Sequence, residues 1–267
     1  YQEYLKIKTA RLEKEKADKL AKQEEDRKAR KIFEEERNIR EAERRKQKAA
    51  EFESRQQFRI LKEKFNAEKY KDSSPASPLF IILEKFNIGE LITQEELDWL
   101  KSVGLYGPLA HYYEKNYLRS DNLWDLVKSA SSWRKDDQPQ RSLKLLVGKT
   151  TKESNLHSAI YTTRGGAFRD IGEYENSEQC ARHAIKIQPN SYYPFNLLGA
   201  LYFQKGLTFK GQKCFDEAEK LGAKPREVDN MIRSTLDKAK NVNKIAVAEY
   251  LLKKDPDRYK WASYYLI

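Results

Sequence analysis

Six residues in the second half of the chain return at a single interval. Tyr161 recurs as Phe195, Gly165 as Gly199, Phe168 as Tyr202, Gly172 as Gly206, Cys180 as Cys214 and Ala184 as Ala218, each 34 residues on. A fixed period of this length belongs to chains built from stacked helical hairpins, each burying its apolar face against the next. The glycines fall where a helix ends or where its neighbour must approach closely, and the alanines fall where two helices cross. These are packing requirements, and they point to an all-α chain whose pairs of antiparallel helices form a solenoid.

The first 71 residues obey different rules. They contain neither Gly nor Pro and are dominated by Glu, Lys, Arg, Ala and Gln, so nothing in them interrupts a helix. Unbroken to Tyr70, that helix would be roughly 105 Å long. Acids precede bases by four positions at Glu15/Lys19, Asp18/Lys22, Glu24/Lys28, Asp26/Arg30, Glu36/Arg40, Glu41/Arg45 and Glu51/Arg55. Each pair contributes about 0.2–0.5 kcal/mol, enough together to support a helix that buries little. A coiled coil needs a continuous apolar seam. Here Leu5/Leu12 and Ile32/Ile39 supply only fragments, with Ala17, Leu20, Ala21 and Ala29 between them. Residues 1–71 therefore read as a helical arm, a spacer or a coiled coil, and Phe52, Phe58, Leu61 and Phe65 near its end as the part that docks on the adjoining helical domain.

Residues 72–78 hold two prolines and three serines, which ends the helical pattern. Residues 79–157 then read as short helices. Thr93 and Glu96 form a capping box before Leu97, Trp99 and Leu100, and Gly104 closes that helix. Pro108 opens a helix bearing Tyr112, Tyr113 and Tyr117, and Asp121 is placed to cap the helix of Leu123, Trp124, Leu126 and Val127. Aromatic residues three or four apart make a core stripe, and no strand alternation is visible. Trp133 and Ser142 lie 35 residues before Phe168 and Ser177, which marks residues 123–147 as a worn copy of the repeat. Residues 226–267 read as capping helices.

On the residues of the repeat, the chain resembles the tetratricopeptide repeat family over about residues 158–225. Tyr161, Gly165, Phe168, Gly172, Ala181, Ala184 and Pro189 fall on the family's large, small and proline positions. Phe195, Leu198, Gly199, Tyr202, Gly206, Phe215 and Ala218 do so in the second copy, with Pro225 two residues late. The resemblance implies a concave face, lined by first helices, that binds peptides or protein helices. It places Thr162, Arg169, Asp170, Tyr193, Asn196, Phe203 and Gln204 there as partner-binding residues. The positions at which chaperone-tail binders of the family clamp a terminal carboxylate hold Thr162, Gly166 and Leu197, so that clamp is not expected. The Trp99 or Tyr112 helices could instead fill the groove.

Chemistry is harder to find. Val147–Thr151 looks like part of a phosphate loop, but Leu143 stands where the first glycine is required. Three histidines, His111, His157 and His183, are scattered, and His183 with Cys180 supplies two ligands where zinc takes three or four. Cys180 and Cys214 share a repeat position, which suits packing, and two cysteines make no disulfide framework. No catalytic, cofactor or metal site is expected. With 52 Lys+Arg against 41 Asp+Glu and a mean hydropathy of −0.89, and with no apolar run longer than five residues, the chain reads as cytoplasmic, without a membrane partner. Residues 1–70 carry 22 bases and 16 acids, and Arg44, Arg45, Lys46 and Lys48 form a basic cluster that could touch nucleic acid.

Three functions compete: a non-catalytic scaffold holding a protein partner or an upstream domain, a nucleic-acid-binding accessory segment of a bacterial nucleic-acid-processing or defence protein, and a subunit that forms a homodimer through the arm. The absence of a starting Met suggests the C-terminal part of a longer protein.

Overall fold

The computed structural model describes residues 2–266, and the side chains of residues 14, 16 and 19–266. Among the described residues every regular element is a helix, and no helix is long and apolar enough to cross a membrane. The contributions of Leu5, Leu12, Ala17, Glu15/Lys19 and Asp18/Lys22 lie outside the described residues.

The stretch without Gly or Pro is one helix, α1 (Gln2–Lys64). Of the charge pairs expected along it, Arg40 meets Glu36 at 3.0 Å and Arg55 meets Glu51 at 2.6 Å, all four side chains largely exposed. Pairs so solvated add little individually. The helix stops at Lys64, short of the expected Lys71, because Asn66 adopts a left-handed conformation (φ 55°). The Asn66 amide donates to the Glu63 carbonyl and the Ala67 amide to the Lys62 carbonyl, the double closure that terminates helices at Gly or Asn.

Two compact units divide the chain: one runs up to Leu61 and includes Lys71–Ile81, the other comprises Lys62–Tyr70 and the chain from Ile82 onward. In the first, the rings of Phe58 and Phe80 pack 5.1 Å apart, both buried, while Phe52 is exposed and so departs from the docking expected of it. The Ser/Pro junction is a run of side-chain-to-backbone turns. Asp72 Oδ1 accepts from the Ser74 amide, Ser74 Oγ from Ala76 and Ser77 Oγ from Leu79. These bonds lead into α2 (Pro78–Ile88).

The second unit opens with Phe65 edge-on to Phe86 and His111. Next come α3 (Gln94–Ser102), with the Thr93/Glu96 capping box formed in both directions, and α4 (Tyr106–Ser120). Lys115 and Arg119 of α4 donate to the Phe86 and Gly89 carbonyls at the end of α2. Gly107 lies against the backbone of Asn66, where an added Cβ would stand 2.3 Å from the Asn66 oxygen. Gly107→Ala is therefore expected to push residues 62–70 away from α4, lowering stability by about 2 kcal/mol, measurable by urea denaturation. Asp121 ends α4 in a left-handed conformation; the cap of α5 (Leu123–Lys135) is Asn122, whose side chain accepts from the Trp124 amide. The expected role of Asp121 thus passes to its neighbour, because a residue at positive φ cannot also hold the extended geometry of an N-cap.

From α5 the helices run in packed pairs: α5 with α6 (Pro139–Leu146), α7 (Ser154–Asp170) with α8 (Tyr174–Ile187) and α9 (Tyr192–Gln204) with α10 (Thr208–Lys220); α11 (Pro225–Lys238) then packs chiefly on α9, and α12 (Asn241–Lys254) follows it. A 3-10 helix, Lys260–Leu266, comes last. The two clear copies close their first helices alike. Gly172 and Gly206 take φ of 84° and 74°, and the next amides, Glu173 and Leu207, bond to the Phe168 and Tyr202 carbonyls at 2.9 and 2.8 Å. Gly165 and Gly199 admit the second helix: a Cβ would meet Leu197, Cys180 and Ser177 at the first and the Phe215 ring at the second. In the earlier pair Trp133 and Ser142 are buried, as is Ser177. At the far end Arg258 ties α10 to α11 by hydrogen bonds to Glu219 and Asp229. Those bonds, led by the one to Glu219, hold its pKa above the usual arginine value.

Candidate partner-binding groove

The first helices α5, α7 and α9 lie next to one another, and α4 packs against α5. Among them is a groove of about 900 Å³. Tyr106, Leu109 and Tyr113 of α4, spaced three and four apart, share one helical face and line it together with Lys101 from the last turn of α3. α5 contributes Trp124, Val127, Lys128, Ser131, Ser132 and Lys135, and α7 contributes Ser158, Ala159, Thr162 and Thr163. The connection into α9 adds Gln188, Asn190 and Ser191, and the first turn of α9 adds Tyr192 and Tyr193. The Trp99 and Tyr112 helices, α3 and α4, thus form one wall of this space, while the two rings themselves turn elsewhere. Trp99 packs edge-on to Tyr70 and Tyr112 stacks on Phe86.

Three lysines line the groove and no carboxylate does. Lys101 bonds to Asp98 at 2.8 Å, and Lys128 lies 3.4 Å from Asp125 and 5.4 Å from the centre of the Tyr113 ring. Lys135 sits 5.0 Å from the centre of the Tyr106 ring. Burial, followed by the charges of Arg134 and Lys101, lowers its pKa. Several hydroxyls are already engaged: Ser132 donates to the Lys128 carbonyl, Thr162 to Ser158 and Ser158 to Ala184. Tyr192 and Tyr193 lie with ring centres 4.2 Å apart, and the hydrogen bond between them, with burial, pushes the Tyr192 phenol up to about 12.

The residues that family position assigns to the concave face separate into two groups. Thr162 and Tyr193 line the groove, Tyr193 with 60% exposure. Phe203 is fully buried, edge-on to Phe215, and Asn196 is buried too. Gln204 meets α12, its carbonyl accepting from Asn243. Asp170 takes Arg134 Nε at 2.9 Å and Arg169 Nη2 at 3.2 Å, with all three side chains at least three-quarters covered. Gly166 makes this cluster possible: a Cβ there would lie 2.2 Å from the Arg134 guanidinium carbon. Arg169 and Asp170 thus act as an internal tie between α5 and α7 instead of facing the groove.

Lys101 and Tyr106 escape a reading by repeat position because they belong to helices ahead of the repeats, and Trp124, Lys128 and Lys135 because the worn copy on α5 and α6 matches the clear ones only at Trp133 and Ser142. The alternation of aromatic and basic residues along α4 and α5 is the signal that could have found them, and at helical spacing it looks the same as a core stripe.

Elsewhere, Arg44, Arg45, Lys46 and Lys48 are exposed on α1 among Glu41 and Glu43, as are Ile32, Phe33 and Ile39. Burial raises the pKa of both thiols, that of Cys214 to about 11. His157, His183 and Tyr161 form an aromatic cluster, and among the described residues no three His, Cys, Asp or Glu side chains are grouped to hold a metal ion. No family model, no curated protein and no solved structure matches the chain.

Proposed function

We propose that the chain is a non-catalytic protein-interaction module whose groove receives a segment of a partner protein. The observation that carries this reading is the open groove of about 900 Å³ among α4, α5, α7 and α9, lined by tyrosine and tryptophan rings, amides and hydroxyls. Concave surfaces of mixed aromatic and polar character favour ordered docking, since aromatic groups bury large areas at little rotamer cost. The resemblance to tetratricopeptide repeats supports the same reading, with α7 to α10 as the two clear copies and α5/α6 and α11/α12 as degenerate ones. α1 would serve as the spacer that joins this module to whatever it positions.

Selection of a random peptide library on the full chain tests the proposal, with Thr162→Tyr as the blocked counterpart. Enriched peptides are expected to bind the unaltered chain and to lose about tenfold or more in affinity on the variant, equivalent to at least about 1.4 kcal/mol. Enrichment indifferent to that substitution, with the helical content unchanged by circular dichroism, would overturn the reading.

A further inference from the structure

We infer that the groove is selective for a peptide segment with acidic side chains along one edge, bound where Lys101, Lys128 and Lys135 converge. The inference rests on the interaction reading above and adds the partner's chemistry to it.

Three observations carry it. The first is sign: the lining contains three ammonium groups and no carboxylate, although 41 Asp and Glu are present in the chain. The second is distribution. The lysines all stand on the α3–α5 side, whereas the α8–α9 side offers Gln188, Asn190, Ser191 and two tyrosines, none of them charged at neutral pH. A ligand matching both sides is acidic along one edge and uncharged along the other, which a peptide achieves by alternating its side chains. A nucleic acid strand presents phosphate at every step and needs a basic track along the whole groove. The third is the state of the lysines. Lys101 and Lys128 have Asp98 and Asp125 as neighbours, and surface pairs of that kind leave an ammonium able to bind a second carboxylate. Lys135 has the Tyr106 ring and two nearby cations, Arg134 and Lys101, so an incoming carboxylate relieves repulsion as well as adding attraction. Tyr106 and Tyr113, beside Lys135 and Lys128, give the apolar part of the segment rings to pack on.

The test is fluorescence anisotropy on the full chain with a fluorescein-labelled peptide of alternating Glu and Leu, its Gln/Leu counterpart, and labelled oligothymidylate. The acidic peptide is expected to bind about tenfold or more tightly than the Gln/Leu peptide. The preference should weaken with added salt and vanish in the triple variant Lys101→Gln/Lys128→Gln/Lys135→Gln. Thermal melting of that variant checks that the fold is intact. Should it be unstable, Lys135→Gln alone, at a position with no carboxylate partner, is expected to reduce the preference severalfold.

Equal binding of both peptides, each blocked by Thr162→Tyr, would overturn the acidic preference and leave the interaction reading standing. Failure of the acidic peptide to bind overturns the inference outright, while the library selection decides the broader reading separately. Lysine-dependent binding of oligothymidylate tighter than that of the acidic peptide would replace the inferred peptide with a single-stranded nucleic acid.

Discussion

Asp170→Ala is expected to lower the free energy of unfolding by about 3–5 kcal/mol, the cost of leaving buried cations without their partner. Arg134 and Arg169 both address this one carboxylate, and the Arg169 side chain is only 12% exposed. Burial lowers the pKa of Arg169 against the opposing pull of Asp170, so the charge already sits in an unfavourable place. Removing the aspartate deletes the attraction and keeps the burial. Urea denaturation reads the loss. The triple variant Arg134→Met/Arg169→Met/Asp170→Leu should recover part of it, since replacing a buried ionic cluster whole by apolar groups is far less harmful than breaking it. A loss below about 1 kcal/mol would mean that the cluster is solvated and that Asp170 is free to meet a ligand.

Stability is also expected to fall steeply in mild acid because of His111. Its Nε2 lies 3.2 Å from Asn66 Oδ1, and its ring is edge-on to Phe65 and Trp133. Burial, aided by the positive charges of Arg141 and Lys64, brings its pKa down to about 4 from 6.5. The folded state therefore binds a proton less readily than the unfolded state. Between pH 6.5 and about 4 the unfolded chain takes up the proton first, so stability decreases as pH falls through that window. The shift of about 2.5 units corresponds to about 3 kcal/mol, fully present above pH 6.5 and gone below about pH 4. Denaturation midpoints measured across this range should show the slope in the unaltered chain and a shallower one in His111→Gln. Parallel slopes in the two proteins would remove His111 as the cause.

Much of the architecture is legible in the order of the residues, for identifiable physical reasons. Gly172 and Gly206 end helices because they alone tolerate positive φ there without strain, and the Thr93/Glu96 box is a purely local motif. Asn66 and Asp121 are harder to read, since either can turn a chain by its own conformation or by its side chain, and which occurs depends on neighbours such as Gly107 and Asn122. The candidate site is the least legible part. Repeat position brings out Thr162 and Tyr193, but Asn196 is buried, and Arg169, Asp170 and Phe203 are drawn inward by contacts with α5 and α10 that no local pattern encodes. Lys101 and Lys135 come near each other only through α4, on which both α3 and α5 pack.

The matching closures at Gly172 and Gly206 have a bearing on how a chain of this design could diversify. Both are made by main-chain atoms, so the pitch of the hairpins, and with it the curvature of the cleft, owes little to the side chains that face a visitor. Contour and chemistry are thereby uncoupled: lysines on the wall could be exchanged for other groups without bending the scaffold, and taste could change while shape is inherited.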